Sequence, residues 1–409
     1  MADDISVPEG FGKMLDPAAE EGKAALGRLI ERGVGQPVTI GAVVPLSGGA
    51  SSATYRVETE TGCGLGPFIF QRVASAEHHG LPRGVQAVVQ QRAGALGVPV
   101  APVIALTEPA DGLGDGAVTA FVPGEALAQK WLRMPEYESA RAALTKQCAE
   151  ALARLHAAPL STWTDLPLSG GSGRDLLDAM FANYLRLGVD VPAFDLAFAW
   201  LKPRMPTGPA TCLAHGDFRS GNFLVDGRGL AAVLDWELAH LSVPAEDLGW
   251  LCVQAWRFGQ WRLPVGGFGT REALVEAYRA AGGKVALADI HVWEVFGNLK
   301  WGMSCLQLAD DHVSGRVPSV ERAAIGRRVS EVAADLAYLI AFGELGGWNI
   351  RAGKDRHEPS DGAAVAGGCP AVPEGSRWRA FGPPGLSCQG CRQRAGNCGP
   401  GAGAGSRQG

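Results

Sequence analysis

Charge is scarce in this 409-residue chain. Only 19% of its residues are charged, and 37 basic side chains stand against 42 acidic ones, which gives a net charge of −5. Proteins that bind nucleic acid through their surface carry a basic field, so we expect no nucleic-acid partner. Because 46% of the residues are hydrophobic, the composition also argues against bulk disorder, and the length suffices for a two-lobed domain with extensions.

Long hydrophobic runs are missing as well. No apolar stretch approaches the roughly 20 residues that a membrane-spanning helix needs, so we expect no membrane partner. Residues 1–6 are polar and acidic, without the apolar core of a secretory signal peptide. This start favours a cytoplasmic location.

Cysteine pairs are absent from most of the chain. Five of the nine cysteines stand singly among apolar residues, which is typical of small buried thiols in a reducing compartment: Cys63, Cys148, Cys212, Cys252 and Cys305. The other four lie beyond about Gly346, where helical periodicity stops and Gly, Pro and Arg dominate. Such a composition cannot bury enough apolar surface to fold, so we predict a disordered tail over 346–409.

One pair in this tail, Cys388 and Cys391, has the spacing of a zinc knuckle. A structural zinc site needs four ligands, and no matched second pair follows. We therefore expect no metal there. A non-native C-terminus, such as one from a shifted reading frame, explains the composition of the tail at least as well as a metal site does.

The most informative segment is His-Gly-Asp-Phe-Arg-Ser-Gly-Asn at 215–222, followed by Asp-Trp-Glu at 235–237. Short apolar runs predict one strand before it and a hairpin after it, so Asp217, Asn222 and Asp235 fall at strand edges where they can converge. Kinase-type phosphoryl transfer needs one carboxylate to orient the acceptor hydroxyl, and an amide and a second carboxylate to hold magnesium. The spacing therefore predicts Asp217 as the catalytic base and Asn222 and Asp235 as metal ligands.

Simpler interpretations exist for these and the neighbouring residues. Asp217 alone could cap a turn after its glycine, although its two partners favour the catalytic role. Glu237 fits a place beside the metal ligands or an ordinary salt bridge equally. We expect His215 to brace the loop backbone, and Asp247 either to bond that backbone or to cap the following helix.

These segments resemble the aminoglycoside phosphotransferase family, also called choline-kinase-like phosphotransferases, whose loop reads H-G-D-x-x-x-x-N and whose metal aspartate lies in D-x-[DE]. Four further segments are similar to family blocks: 46–57, 151–156, 246–250 and 326–331. Together with 293–306, the last of these resembles the subgroup of kinase domains fused to acyl-CoA dehydrogenases. The resemblance covers about 35–342.

The resemblance implies an α+β, protein-kinase-like fold with a small antiparallel-sheet N-lobe and an α-rich C-lobe. Hydrophobic periodicity agrees, since three strands, a helix and two strands precede a hinge at Pro123-Gly124, and helical segments dominate afterwards. The predicted strands are 38–46, 53–60, 67–73, 103–106 and 117–122, and the predicted helices are 17–32, 83–96, 136–157, 174–187, 194–201, 246–256, 271–281, 289–308 and 320–342. We therefore divide the chain into an N-terminal extension (1–34), a nucleotide-binding lobe (35–122), a catalytic lobe (123–345) and a tail (346–409).

The family implies ATP and Mg as cofactors. Gly48 and Gly49 could let the backbone approach phosphate, although an ordinary hairpin turn explains them equally. Phe121 and Val122 are predicted to line the adenine site.

The kinase template also needs a cation on the third strand, and Arg72 is the one available there. Strand alternation places Arg72 and Gln71 on opposite faces, which leaves the register open. The helix residue that would pair with this cation, usually Glu, is Gln86 by alignment. Both departures weaken the expectation of efficient catalysis more than that of ATP binding.

We therefore predict an ATP- and Mg-dependent O-phosphotransferase with a small-molecule hydroxyl acceptor. The subgroup resemblance and the abundant tryptophans favour a hydroxyacyl compound or another apolar alcohol. The alternatives are an aminoglycoside or other antibiotic phosphotransferase, and a nucleotide-binding pseudokinase with a regulatory role. A protein kinase fits less well, because no long activation segment follows Asp235. The oligomeric state is unknown from the sequence.

Overall fold

The computed structural model describes residues 14–46, 52–60, 64–73 and 80–343. Its first half forms a five-stranded antiparallel sheet with the strand order β1-β2-β3-β5-β4. The strands are β1 (Ile40–Leu46), β2 (Ser52–Thr59), β3 (Phe68–Val73), β4 (Val103–Leu106) and β5 (Gly116–Ala120). Two helices accompany the sheet, α1 (Glu20–Val34) and α2 (Arg83–Ala95).

Helix α1 packs against one face of this sheet. Its Leu26, Leu29 and Ile30 are buried together with Phe68 and Phe70 of β3. Side chains alternate along a strand, so β3 has one face turned toward α1 and another turned away. Helix α2 instead contributes Val89 and Ala93 to the large core that it shares with the later helices.

The remainder of the described chain is mostly helical, with two small antiparallel sheets. The helices are α3 (Ala128–Trp131), α4 (Glu138–His156), α5 (Gly173–Leu187), α6 (Pro192–Leu201), α7 (Pro244–Leu251), α8 (Arg271–Ala280), α9 (Leu287–Val313), α10 (Val320–Gly326) and α11 (Val329–Phe342). Strand β6 (Cys212–Ala214) pairs with β9 (His240–Ser242), and β7 (Phe223–Asp226) pairs with β8 (Gly229–Val233). The predicted order, an antiparallel sheet followed by helices, is confirmed.

Several predicted elements differ in detail. The helix predicted over 246–256 ends at Leu251 and is followed by a 3₁₀ turn, after which Phe258 adopts a left-handed backbone with φ 46°. The helix predicted over 320–342 is two helices, α10 and α11, whose junction lies just after Gly326. A Cβ at Gly326 would lie 2.6 Å from the Cβ of Ala309, so α9 and α10 approach closely there. Strand β9 and helix α3 were not predicted, because three or four residues carry too little periodicity.

The cysteine prediction can be tested at four positions. Cys148, Cys212, Cys252 and Cys305 are free and buried, and burial raises the pKa of Cys252 and Cys305 to about 12. Cys63 lies outside the described residues, as does the whole segment predicted as a disordered tail. Within the described ranges, none of the helices combines the length and hydrophobicity that a bilayer crossing requires.

Candidate active site

The loop that joins β6 to β7 is anchored by one buried carboxylate, Asp247 of α7. Asp247 accepts the backbone N–H of His215 at 2.7 Å and that of Gly216 at 2.9 Å. Its other bond is to Nε2 of His156, at 3.1 Å. Burial alone would raise the pKa of Asp247, but these partners hold it below its ordinary value. Asp247 is therefore an ionised brace for the loop, in agreement with one of its two predicted roles.

Two more features shape the same loop. Gly216 has φ 78°, and a Cβ there would lie 2.1 Å from the carbonyl oxygen of Leu238, so only glycine fits. Nδ1 of His215 accepts the N–H of Asp217 at 3.2 Å, while its Nε2 lies 3.1 Å from the Leu234 carbonyl. That pattern requires the neutral imidazole, and burial lowers the pKa of His215 accordingly. His215 thus bonds the backbone on both sides, as predicted.

The carboxylate of Asp217 lies at the centre of a set of donors. Nε of Arg219 is 2.9 Å from Oδ1 and 3.1 Å from Oδ2, Nδ2 of Asn222 donates to Oδ2 at 2.6 Å, and Nε1 of Trp250 donates to Oδ1 at 2.9 Å. Hydrogen bonds to a charged group are the stronger kind. The carboxylate is therefore held in one orientation although it reaches the surface of the site.

Asn222 is held in place by hydrogen bonds to Asp217 and Leu234. Its side-chain Nδ2 also donates to the backbone carbonyl of Asp217 at 3.0 Å, and its backbone carbonyl accepts the N–H of Leu234 at 2.8 Å. With the amide nitrogen occupied in this way, the side-chain oxygen is the atom available to a cation.

Asp235 follows β8 in a left-handed conformation with φ 66°, which is uncommon for a residue with a side chain and is concentrated at functional sites. Burial raises its pKa to about 7, and the negative charges of Glu237 and Asp217 add to the rise. Three carboxylates thus share this corner of the fold. The residues that the structure describes contain no group of three or more His, Cys, Asp or Glu side chains placed so that all could hold one metal ion.

The structure places Arg72 away from this corner, contrary to prediction. Its Nη1 donates to the carbonyls of Leu15 and Leu113, at 2.8 and 3.3 Å, and its guanidinium lies 5.7 Å from the centroid of the Tyr55 ring. Arg72 therefore occupies the α1 face of the sheet. Gln71 has the opposite face, where its side chain bonds Thr54 at 3.3 Å.

The other predicted nucleotide residues have different outcomes. Phe121 directly follows β5, donates its N–H to the carbonyl of Pro67 at 3.1 Å and lies beneath the guanidinium of Arg56 at 4.6 Å. Val122 comes next, half-buried, at the start of the connection to the helical part. Gly48 and Gly49 lie outside the described residues.

Three residues near the site were not predicted. Arg219 and Trp250 contact Asp217 directly, and both lie inside the family-like segments, as the x-R of H-G-D-x-R and the residue after E-D-L-G. Arg83 begins α2 and is buried with its guanidinium beside Ser52 and Gln86. The sequence signal for Arg83 was its position three residues before Gln86.

A wall of tryptophans continues from Asp217. The ring of Trp250 lies 5.1 Å from that of Trp256, which lies 5.0 Å from that of Trp301. Each ring carries a cation over its face, at 4.8, 4.7 and 5.5 Å respectively: Lys300, Arg219 and Arg328. The wall is therefore aromatic, and each of its three cations also lies within ion-pair distance of a carboxylate: Lys300 of Glu246, Arg219 of Asp217 and Arg328 of Glu331.

This combination of an antiparallel sheet, a helical region and an Asp-Asn-Asp corner defines a kinase-like phosphotransferase. The family model of the phosphotransferase enzyme family matches residues 42–289. The chain belongs to that family and is a phosphotransferase.

The comparisons with individual proteins agree in fold. A protein of Ralstonia eutropha assigned to the aminoglycoside phosphotransferases has a TM-score of 0.61 at 20% identity, over 78% of this chain and 98% of that one. A thermostable mutant of the aminoglycoside phosphotransferase APH(4)-Ia, in a ternary complex with AMP-PNP and hygromycin B, has a TM-score of 0.52 at 17% identity, over 79% and 99%. The kinase-like fold is thereby confirmed.

One curated relative is closer in sequence. Acyl-CoA dehydrogenase family member 10 of Mus musculus is 30% identical over 166 residues, which are 38% of this chain. The match spans 15% of that protein's length. The predicted likeness to kinase-like segments of such proteins is confirmed for this part of the chain.

Proposed function

We propose that this phosphotransferase moves the γ-phosphate of ATP to the hydroxyl of a small molecule, with magnesium as the metal. The observation that carries the proposal is the Asp217 carboxylate, which Asn222, Trp250 and Arg219 hold in one orientation beside Asp235. Kinase-type transfer needs little covalent chemistry from the protein and depends on such positioning.

In this proposal Asp217 accepts the proton of the acceptor hydroxyl as the hydroxyl oxygen bonds to the γ-phosphorus, while the bond from that phosphorus to the β,γ-bridging oxygen breaks and ADP leaves. Trp250 and Asn222 are nearly buried and keep the carboxylate aimed. The Arg219 side chain is 26% exposed, so it is the partner that yields when a hydroxyl approaches.

Asn222 and Asp235 would hold the magnesium, which supplies charge neutralisation on the phosphates. The fit is chemical, because amide and carboxylate oxygens are the ligands that magnesium prefers. It is also electrostatic, because Asp235 is buried beside the carboxylates of Glu237 and Asp217, and burial first and these charges second raise its pKa. Magnesium is usually bound by one or two carboxylates plus phosphate and water, so Asn222 and Asp235 would be sufficient protein ligands for this role.

The nucleotide would bind under the sheet, in the lobe assigned to 35–122, with Phe121 and Val122 beside the adenine and Gly48 and Gly49 near the phosphates. The catalytic lobe of 123–345 would supply the base, Asp217, and the magnesium ligands, Asn222 and Asp235. The AMP-PNP bound to APH(4)-Ia, a protein of the same fold, supports this use of the site.

The acceptor would meet the tryptophan wall at the half-buried Trp301, because Trp250 and Trp256 are buried. An apolar alcohol gains from contact with such a ring, and the likeness to acyl-CoA dehydrogenase family member 10 favours a hydroxyacyl compound. We therefore place hydroxyacyl compounds and other apolar alcohols ahead of aminoglycosides. An antibiotic phosphotransferase is the second candidate, because solved proteins of this fold act on such compounds.

The test is a panel of acceptors incubated with γ-labelled ATP and magnesium. The panel contains hydroxyacyl compounds of several chain lengths, kanamycin, hygromycin B and a macrolide, and Asp217→Ala serves as the inactive control. Label transfer to hydroxyacyl compounds alone supports the first candidate, and transfer to antibiotics alone would replace it with the second. ATP binding without label transfer to the panel or to a metabolite extract would identify a pseudokinase.

A further inference from the structure

The side chain of Arg83 lies where a kinase-like site needs a cation. Protein kinases place this charge on the third strand, paired with a glutamate of the following helix. Here the strand offers Gln71 on one face and Arg72 on the other, and Arg72 is bonded to carbonyls on the α1 side. The third strand therefore supplies no positive charge on the face of the sheet that carries Gln71.

The register of β2 and β3 shows which face Arg83 contacts. Thr54 pairs with Gln71 and Ser52 pairs with Val73, and residues directly opposite each other in an antiparallel pair share a face. Nη2 of Arg83 donates to Oγ of Ser52. The guanidinium therefore lies on the same face of the sheet as Gln71. Its contact, Ser52, follows in sequence the two glycines predicted for the phosphate loop, Gly48 and Gly49.

A chain of hydrogen bonds ties Arg83 to the metal corner. The N–H of Leu81 donates to the carbonyl of Glu237 at 2.8 Å, and Nε2 of Gln86 donates to the carbonyl of Leu81 at 2.6 Å. Oε1 of Gln86 in turn accepts Nη1 of Arg83 at 2.9 Å. The start of α2 is thus fastened beside the segment that carries Asp235.

The guanidinium of Arg83 forms no direct ion pair within the described part of the chain, although its charge opposes the rise in the pKa of Asp235. The residue is 6% exposed, and the side-chain groups it contacts, those of Ser52 and Gln86, are neutral. Its Nε has no hydrogen-bond partner within the described part of the chain. A buried charge without a directly bonded counter-ion is costly, and an arginine fork matches the oxygens of a phosphate.

We propose that Arg83 binds the phosphates of the nucleotide, so that α2 supplies the cation that the third strand lacks. Gln86 then has a definite role, because a neutral amide orients the guanidinium without neutralising it, whereas a glutamate would compete with phosphate. The inference rests on the proposed nucleotide site and assigns a residue to it.

The test compares Mg·ADP with adenosine as ligands in calorimetric titrations. Arg83→Met keeps an unbranched side chain and removes the buried charge, a change that proteins often tolerate. We expect Mg·ADP affinity to fall on the order of tenfold to a hundredfold, the loss typical of a charge-assisted hydrogen bond, while adenosine affinity changes less than about twofold. Arg83→Gln should behave in the same way and provides a second variant should one fail to fold.

Arg72→Met is the matched control and should leave the ratio of the two affinities unchanged. The assignment would be overturned if the Arg83 variants kept the wild-type ratio of Mg·ADP affinity to adenosine affinity. It would also be overturned if Arg72→Met lowered this ratio. Binding of ADP needs no acceptor and no turnover, so this outcome is separate from any failure of the proposed phosphotransfer.

Discussion

At the scale of single residues, the orientation of the Asp217 carboxylate matters most. Asp217→Asn keeps the shape of the side chain and removes its capacity to accept a proton. We expect kcat to fall by about two to four orders of magnitude, with nucleotide affinity changed by less than about threefold. Steady-state kinetics and ADP titration measure the two quantities. Asp226→Asn, at the end of β7, is the control and should keep full activity.

Trp250 holds Asp217 through one hydrogen bond. Trp250→Phe keeps an aromatic ring in the wall and removes the N–H donor, whose net contribution is about 1 kcal/mol. We expect kcat to fall roughly fivefold to tenfold, with little change in the KM for ATP. The exposed Trp261 provides the matched change to Phe. Equal kinetics for both variants would show that the bond from Trp250 does not position the base.

At the scale of elements, Asp247 connects α7 and α4 to the loop after β6. Asp247→Asn places amide hydrogens against backbone N–H groups in a buried site, so we expect unfolding free energy to drop on the order of 3 kcal/mol. The exposed Asp310→Asn should cost less than about 1 kcal/mol. Urea unfolding measures both.

The Asp247 carboxylate should also affect how the free energy of unfolding changes at acid pH. Its pKa is held below the ordinary value in the fold, so its contribution is fully present above the unfolded pKa of about 3.9 and is lost as the pH falls further. The wild type should therefore lose stability more steeply than Asp247→Asn below about pH 4. Parallel pH profiles of unfolding free energy for the two proteins would contradict this account.

At the scale of the whole molecule, one buried ion triad joins distant segments. Glu294 of α9 accepts Nη2 of Arg257 at 2.8 Å and, through both of its oxygens, the guanidinium of Arg271 at 2.6 and 2.7 Å. Glu294→Gln leaves both arginines without their shared negative charge, and we expect a loss of about 3–5 kcal/mol. Thermal unfolding measures it, with Lys146→Gln in an exposed pair as a control expected to change stability by less than about 0.5 kcal/mol.

The parts of the fold that the sequence predicted are those with local signals. The strands of the sheet and most helices have clear periodicity, and the Asp217-Asn222-Asp235 spacing predicted a corner that the structure assembles. The face that Arg72 occupies could not be predicted, because β3 carries polar residues on both faces after Phe70, and only the pairing with β2 and the packing of α1 decide which face is which. Arg83 is identified by its tertiary contacts, because a position three residues before Gln86 is too weak a sequence signal to single it out.

The bond from Leu81 to the carbonyl of Glu237 joins the start of α2 to the segment that follows Asp235. Leu81 also packs against the core that α2 shares with the later helices, so the two segments are held by packing as well as by the hydrogen bond. A displacement of α2 would therefore carry Arg83 and the segment after Asp235 together, and the distance between the charges of Arg83 and Asp235 would be preserved.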